Sequence, residues 1–310
     1  MDLVAVVTSR RDEVTSRYPD ADVPASADDL YDRVDVVVIS TPNVAHVPLA
    51  RAALGHGLAV VVDKPLAVSA LEARVLVGEG GRLTVFQNRR LDGDFLTLQR
   101  LLADGALGDV IRMDSRFERF RPVVDAERWR ERGAHQEGGG QLLDLGAHLI
   151  DQALQLFGPV ARVYAEIDTR RPGGEVDDDV TLDLEHASGV HSHLAMSAIA
   201  PLHGPRFRVS GLKAGFAVDG LDVQEDQLDS GMTPDDPAYG VADHTARLVD
   251  ENGATEIALE RGDYPAFYAQ VAAWANDGAP PPVDPADSVA GLDDLEAARR
   301  SAAEHIVADL

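Results

Sequence analysis

The sequence predicts an α/β fold in two parts. A Rossmann-like parallel sheet, covered on both faces by helices, precedes an α/β domain built on an open, mostly antiparallel sheet. Three observations predict it. Between residues 1 and about 90, short apolar, β-branched runs alternate with helical stretches. Those runs, Asp35–Ser40 and Ala59–Pro65 among them, are apolar without a break, as strands buried on both faces are. From about residue 110 the runs instead alternate apolar and polar with period two, the pattern of strands with one solvated face.

The elements follow in order. Leu3–Val7 reads as a strand, Arg11–Tyr18 as a short polar helix, and Ala27–Tyr31 as the start of another. Asp35–Ser40 is a strand bounded by turn residues, and Asn43–Gly57 is a helix with a glycine stop. Ala59–Pro65 is the next strand. Ser69 then caps a helix over Ala70–Val77, with Glu72 completing a capping box. Arg82–Arg90 (RLTVFQNRR) is a strand again. In the second part, Phe95–Ala103 is an amphipathic helix, Val110–Phe120 alternates like an antiparallel strand, and Gly140–Phe157 is a helix. Strands follow at Arg162–Thr169, Val180–Glu185, Gly189–Ser197 and Arg206–Gly211, with a weaker one at Ala214–Val218. Pro and Asp mark Gly278–Asp287 as a linker before a last helix, Ser288–Val307. The expected divisions are residues 1–92, 93–285 and a C-terminal helix over 286–310.

Composition narrows the function classes. The chain has 310 residues, 45% of them hydrophobic, and no apolar run of membrane-spanning length. No charged segment followed by an apolar core opens it, so a cytoplasmic address is expected. Without cysteine there are no disulfides, thiolate metal sites or thiol nucleophiles. A net charge of −25 disfavours nucleic acid, whose phosphates need a basic face. Lys64 and Lys213 are the only lysines; every other basic residue is arginine.

Four stretches carry candidate chemistry. Leu3–Val7 runs into Thr8-Ser9-Arg10-Arg11, which looks like the end of the second strand of a dinucleotide-binding fold. Arginines at that turn suit a ribose 2′-phosphate, where an acidic residue would hold the 2′-hydroxyl. In "ISTPNVAH" a strand runs into Thr41-Pro42-Asn43, and a helix carrying His46 opens at once. Helix N-termini at the carboxyl ends of parallel strands favour anionic ligands. In "VVVDKP" the next strand ends on Asp63 and Lys64, and a lysine there can hold a substrate hydroxyl. In "GGGQLLDLGAHLID", Asp144 and His148 lie four residues apart on one helical face, and Asp151 adds a third polar group. An imidazole beside a carboxylate is an acid/base pair. An ordinary surface pair and a His/Asp metal site are the alternatives, the metal lacking an obvious fourth ligand. Each of the other stretches also fits an ordinary solvated turn.

Taken in this order, the stretches resemble the Gfo/Idh/MocA family of nicotinamide-dependent oxidoreductases. The DKP and GGGQLLDLGAHLID segments are the specific ones, and VFQNRRLDGDF resembles a subgroup acting on sugars or polyols. The resemblance implies a nicotinamide cofactor, which the Ser9-Arg10-Arg11 turn favours as NADP, with NAD the alternative, together with a small-molecule substrate and a homo-oligomer, dimer or tetramer. It assigns Lys64 to both substrate and nicotinamide. Asp144 and His148 line the substrate pocket, with His148 as the acid/base. Thr41, Pro42 and Asn43 flank the cofactor, beside His46 and Asp63. Gln87, Asn88 and Arg89 reach the nicotinamide end, and Trp129 and Arg130 lie near cofactor and substrate. Two rival readings are a relative that kept the fold without cofactor affinity, and a cofactor-dependent glycosidase or lyase. One departure stands out: no strand with G-x-G-x-x-G precedes Leu3. Gly78–Leu83 follows a helix and Gly138–Gly140 lies in the second part, so neither replaces it. By the family spacing about 30 residues are missing. A start assigned too far downstream is the expected explanation, ahead of a genuine truncation.

Overall fold

A computed structural model describes residues 1–125, 131 and 138–310. The helix α1 (Arg11–Arg17) precedes a three-stranded parallel sheet, β1 (Val36–Ile39), β2 (Ala59–Asp63) and β3 (Arg82–Phe86), in the order β1-β2-β3. Helices α2 (His46–Gly55) and α3 (Ala70–Gly78) make the crossovers. Val60, Val61 and Val62 of the central strand are wholly buried, as its unbroken apolar run requires. Ser69 caps α3, accepting a hydrogen bond from the Glu72 N–H at 3.3 Å.

Leu3–Val7 is not a strand of this sheet. Ala5 makes a single bridge to Asp22, with the Val6 N–H donating to Asp22 O and the Asp22 N–H to Val4 O. In a doubly wound sheet this segment and β1 share one common neighbour. Among the described residues no strand takes that place. β1 is therefore the sheet's edge, and Val38 on it is 48% exposed.

The second part opens with α4 (Gly93–Ala103) and β4 (Val110–Glu118). The helix expected over Gly140–Phe157 has two windings. Leu142–Gly146 is a π-helical turn, and α5 (Ala147–Phe157) continues it. Strands β5 (Val160–Asp168), β6 (Asp179–His186), β7 (His191–Ser197), β8 (Phe207–Gly211) and β9 (Gly215–Val218) follow. After α6 (Gln224–Asp229) come β10 (Thr245–Asp250) and β11 (Gly253–Ala258). Helices α7 (Tyr264–Asp277) and α8 (Pro285–Glu304), then the two-residue β12 (Ala308–Asp309), close the chain. The nine-stranded sheet has the order β11-β10-β9-β8-β4-β7-β6-β5-β12. One pairing departs from the expected antiparallel rule: β4 runs antiparallel to β8 but parallel to β7. Alternation along β4 reports a half-buried face and carries no information about a neighbour's direction.

The Pro/Asp-rich segment is shorter than expected as a linker, because Asp284 caps α8 by accepting from the Ala286 N–H (2.9 Å). It also docks: Thr84 Oγ1 on β3 donates to Val283 O at 2.8 Å. From there α8 packs on β5, α3 and α5 together. Arg74 pairs with Asp293 at 2.6 Å, and the Ala70 N–H donates to Glu296 Oε1 at 2.8 Å, so α8 is fastened to both sheets' helical layers.

The entry to the π turn is built on glycine. Gly140 has φ +100, and a Cβ there would lie 2.2 Å from Asp177 Oδ1. Asp177 holds the turn directly: its Oδ2 accepts from the Leu142 N–H (2.7 Å) and its backbone O from the Gln141 N–H (3.0 Å). Gly140→Ala is expected to cost about 2–4 kcal/mol, from left-handed strain plus the collision with Asp177. Urea unfolding of the variant measures it, and a change below about 0.5 kcal/mol contradicts the assignment.

A second prediction concerns α8. Asp294 is 5% exposed, and burial, with Asp293 next to it, pushes its carboxyl up to about 7. The folded chain keeps a proton that the unfolded chain releases near pH 4. Stability is therefore complete below that range and is lost as pH rises towards 7. Asp294→Asn should remove up to about 4 kcal/mol of this pH dependence. Melting temperatures at pH 5 and pH 8 would then diverge less in the variant; identical pH profiles would overturn the prediction.

Candidate functional site

The site is assembled where β2 ends and the π turn begins. Asp63 closes β2, and its Oδ1 accepts from the Lys64 N–H at 2.9 Å. Lys64 reaches across to the second part: its Nζ donates to the Asp144 backbone O at 2.5 Å and to Asp144 Oδ1 at 3.1 Å. Asp144 lies inside the π turn. Such turns widen the helix locally, and they recur at functional sites. His148 follows on α5, buried, with the edge of its ring set against Phe117 of β4 (centroids 6.3 Å apart). The three residues singled out as chemistry-bearing are thus brought to one place, a carboxylate and an ammonium in contact and an imidazole one turn further on.

The turn after β1 closes on the same cleft. Asn43 opens a short 3-10 turn, and its Nδ2 donates to Gly138 O at 3.2 Å. Gly138 has φ +89, and a Cβ on it would come within 2.6 Å of Asn43 Nδ2, so glycine lets the two segments meet. His46 corrects an expectation. Its Nδ1 faces Pro65 O at 2.8 Å and its Nε2 faces Thr41 O at 2.9 Å. Both ring nitrogens serve the backbone, and the residue is a brace between the turns after β1 and β2. A ligand contact through either nitrogen does not fit this arrangement.

The segment after β3 differs from expectation residue by residue. Gln87 is buried, its Oε1 makes no hydrogen bond among the described residues, and with Ser288 on α8 it lines a cavity of about 10 Å³, a space the size of one water. Asn88 Nδ2 donates to Glu225 Oε1 (3.3 Å). Arg89 is held by Glu225 (2.8 Å) and Asp92 (3.3 Å), and its backbone O accepts from Gln152 Nε2 (2.8 Å). Arg90, which the sequence did not single out, pairs with Asp151 (2.5 Å) and Asp287 (2.9 Å). Asp151 is therefore an anchor for Arg90, which joins it to Asp287 on α8. The only available signal was its i, i+3 step past His148, which pointed instead to acid/base work.

Below the cleft lies a fully buried cation. Arg206 donates to Ser115 Oγ and Gln152 Oε1, each at 2.6 Å, and lies 3.4 Å from Asp94. Its guanidinium is sandwiched by Phe117 (4.2 Å) and Phe207 (4.0 Å), the geometry of cation–π contact. Burial pushes the Asp92 and Asp94 carboxyls up.

At the far end of the small sheet, Ser9 and Arg10 are exposed. The Arg10 guanidinium lies 3.5 Å from Glu13, and Arg11 donates to the Val23 and Pro24 carbonyls. The Arg11 guanidinium thus serves its own loop. Trp129 and Arg130 lie outside the described residues.

The comparisons agree with this architecture. Residues 1–79 match the model of an oxidoreductase family with an NAD-binding Rossmann fold, and residues 95–217 match a GFO/IDH/MocA C-terminal domain. The NADP(+)-dependent scyllo-inositol 2-dehydrogenase IolW of Bacillus subtilis is 32% identical over 96% of this chain and 86% of its own length. The uncharacterised oxidoreductase YdgJ of Escherichia coli K12 is 36% identical over 97% and 89%. A solved structure from Bacillus subtilis, yvaA, superposes with a TM-score of 0.93 at 31% identity, covering all of this chain and 91% of that one. Two consecutive domain matches and near full-length similarity have one reading: the chain belongs to the Gfo/Idh/MocA family of NAD(P)-dependent oxidoreductases.

Proposed function

We propose that the chain moves a hydride between NADP, or NAD, and a carbinol or carbonyl carbon of a small sugar- or polyol-like molecule. The observation that carries this reading is the Lys64–Asp144 contact at the carboxyl end of β2, with His148 following on α5. That edge of a parallel sheet is where open α/β folds bind ligands. The substrate class is supported by the name of the B. subtilis relative, an inositol dehydrogenase.

The residues present fit the nicotinamide end of the cofactor. The strand ends supply Thr41–Asn43 and Lys64, and Gly138 keeps the space beside Asn43 free of a side chain. When bound, the nicotinamide ring supplies the hydride acceptor or donor. The chain's own residues do the rest. Lys64 directs its ammonium at the reacting oxygen, and Asp144 fixes the lysine through both its carboxylate and its backbone O. His148 takes the hydroxyl proton during oxidation and returns it during reduction. The reading also includes the Ser9-Arg10-Arg11 turn as the seat of a 2′-phosphate, for which Arg11 would leave the Val23 and Pro24 carbonyls, a cytoplasmic address and a homo-oligomer formed through the solvent-facing side of the large sheet. No described helix is long and apolar enough to cross a membrane.

Two experiments test the reading. Fluorescence titration with NADPH and NADH should give saturable binding, tighter for NADPH; absence of binding to the folded chain counts against it. His148→Ala should lower kcat by about 10²–10⁴ while changing NADPH affinity less than about threefold. Equal losses in both would remove His148 from the chemistry.

A further inference from the structure

The inner face of β4 brings one more cation to the cleft. Met113, Ser115 and Phe117 alternate along that face, all buried, and Arg119 continues the alternation past the strand's last residue. The pairing continues with it: the Arg119 N–H donates to Ser197 O (2.8 Å), and the Ala200 N–H donates to Arg119 O (3.0 Å). The row can be followed by its partners. Ser115 meets Arg206. Phe117 meets Arg206, the Arg89 guanidinium (5.3 Å) and the edge of His148. Arg119 stands about 7 Å beyond Phe117 along the strand, where its charge is felt by Asp144 and Glu225.

The other guanidiniums on this wall have acidic partners. Arg206 has Asp94, and Arg89 has Asp92 and Glu225. Among the described residues, Arg119 makes no side-chain hydrogen bond and no ion pair within 4.0 Å. The two acids nearest in charge are already engaged, Asp144 by Lys64 and Glu225 by Arg89. Burial first, and Arg121 second, disfavour its charged form. A half-buried guanidinium in a substrate cleft, with nearby carboxylates taken, presents a planar fork matched to an oxyanion.

We infer that Arg119 is a substrate-binding residue, and that it receives an anionic group, carboxylate or phosphate, carried by the sugar- or polyol-like substrate. The inference rests on the reading of the Lys64–Asp144–His148 cleft as the substrate site. It adds to that reading a specificity for acidic over neutral sugars. No redox or proton balance changes, because the anion takes no part in the bond-making.

Calorimetric titration of the full chain, alone and with NADP, tests it with D-glucose, D-glucuronate and D-glucose 6-phosphate. At least one acid should bind about 10-fold or more tightly than glucose, the scale of a charge-assisted hydrogen-bond pair. The acid that does so identifies the group. Arg119→Met should bring that affinity down to the glucose level and leave glucose within about threefold, and Arg119→Lys should keep part of the preference. Thermal melting of both variants checks their folding; if Arg119→Met melts early, Arg119→Lys alone still has to lose part of the preference. Equal affinity for acid and neutral sugar, no binding of any of them, or a preference that survives in the variants overturns the inference. NADP-linked turnover of neutral polyols without acid preference would leave the function standing and remove Arg119 from it. Arg119-dependent acid binding without any turnover would do the reverse.

Discussion

The contact between Lys64 and Asp144 holds the two parts of the candidate site together. It joins the last residues of a parallel strand to a helical turn 80 residues away, and it does so through two acceptors of different kinds. A carboxylate alone could swing on its χ angles. A backbone carbonyl cannot, so the 2.5 Å bond to Asp144 O fixes the lysine against the fold itself. The neighbouring links all serve the same junction. Asn43 ties the turn after β1 to Gly138, and His46 ties that turn to Pro65.

Beneath that junction the fold accepts an unusual amount of buried charge. Arg206 is closed in by two phenylalanine rings and satisfied by Ser115 and Gln152, and Gln152 in turn holds the backbone of Arg89. Buried ions are costly unless such partners are complete. Here the partnering is partial: Arg206 Nε and Asp94 Oδ2 face each other as an ion pair at 3.4 Å without a hydrogen bond, while Ser115 and Gln152 take the other guanidinium nitrogens. Arg90 extends the same logic outward by joining Asp151 on α5 to Asp287 on α8.

Much of this was legible in the residues. Unbroken valine runs reported β1 and β2, the apolar segment RLTVF reported β3, and period-two alternation reported most of the large sheet. Lys64, Asp144 and His148 were legible as candidates, and the structure brings Lys64 and Asp144 into contact. Other features carried no local signal. β10 and β11 form a hairpin that is mostly exposed, so no apolar period marks it. Leu3–Val7 has strand composition but, among the described residues, only a single bridge to Asp22, and composition cannot supply a strand partner. Asp151 looked chemical and is an anchor, because its partner Arg90 lies 61 residues away. Arg119 was passed over for a similar reason: its meaning depends on which acids other cations have already taken.

The π turn has a consequence for how such a site is altered. A five-residue winding is what remains when one extra residue is accommodated inside an α-helix without shifting its ends. Leu142–Gly146 is the opening winding of this helix, with Asp144 and its contact to Lys64 inside it and His148 on the regular α winding that follows. Removing Leu145 or Gly146, between the two, would rotate Asp144 by about 100° relative to His148. The carbonyl now held by Lys64 would turn back into the helical ladder. In this helix an indel of one changes how Asp144 and His148 face each other, whereas many substitutions leave that relation intact.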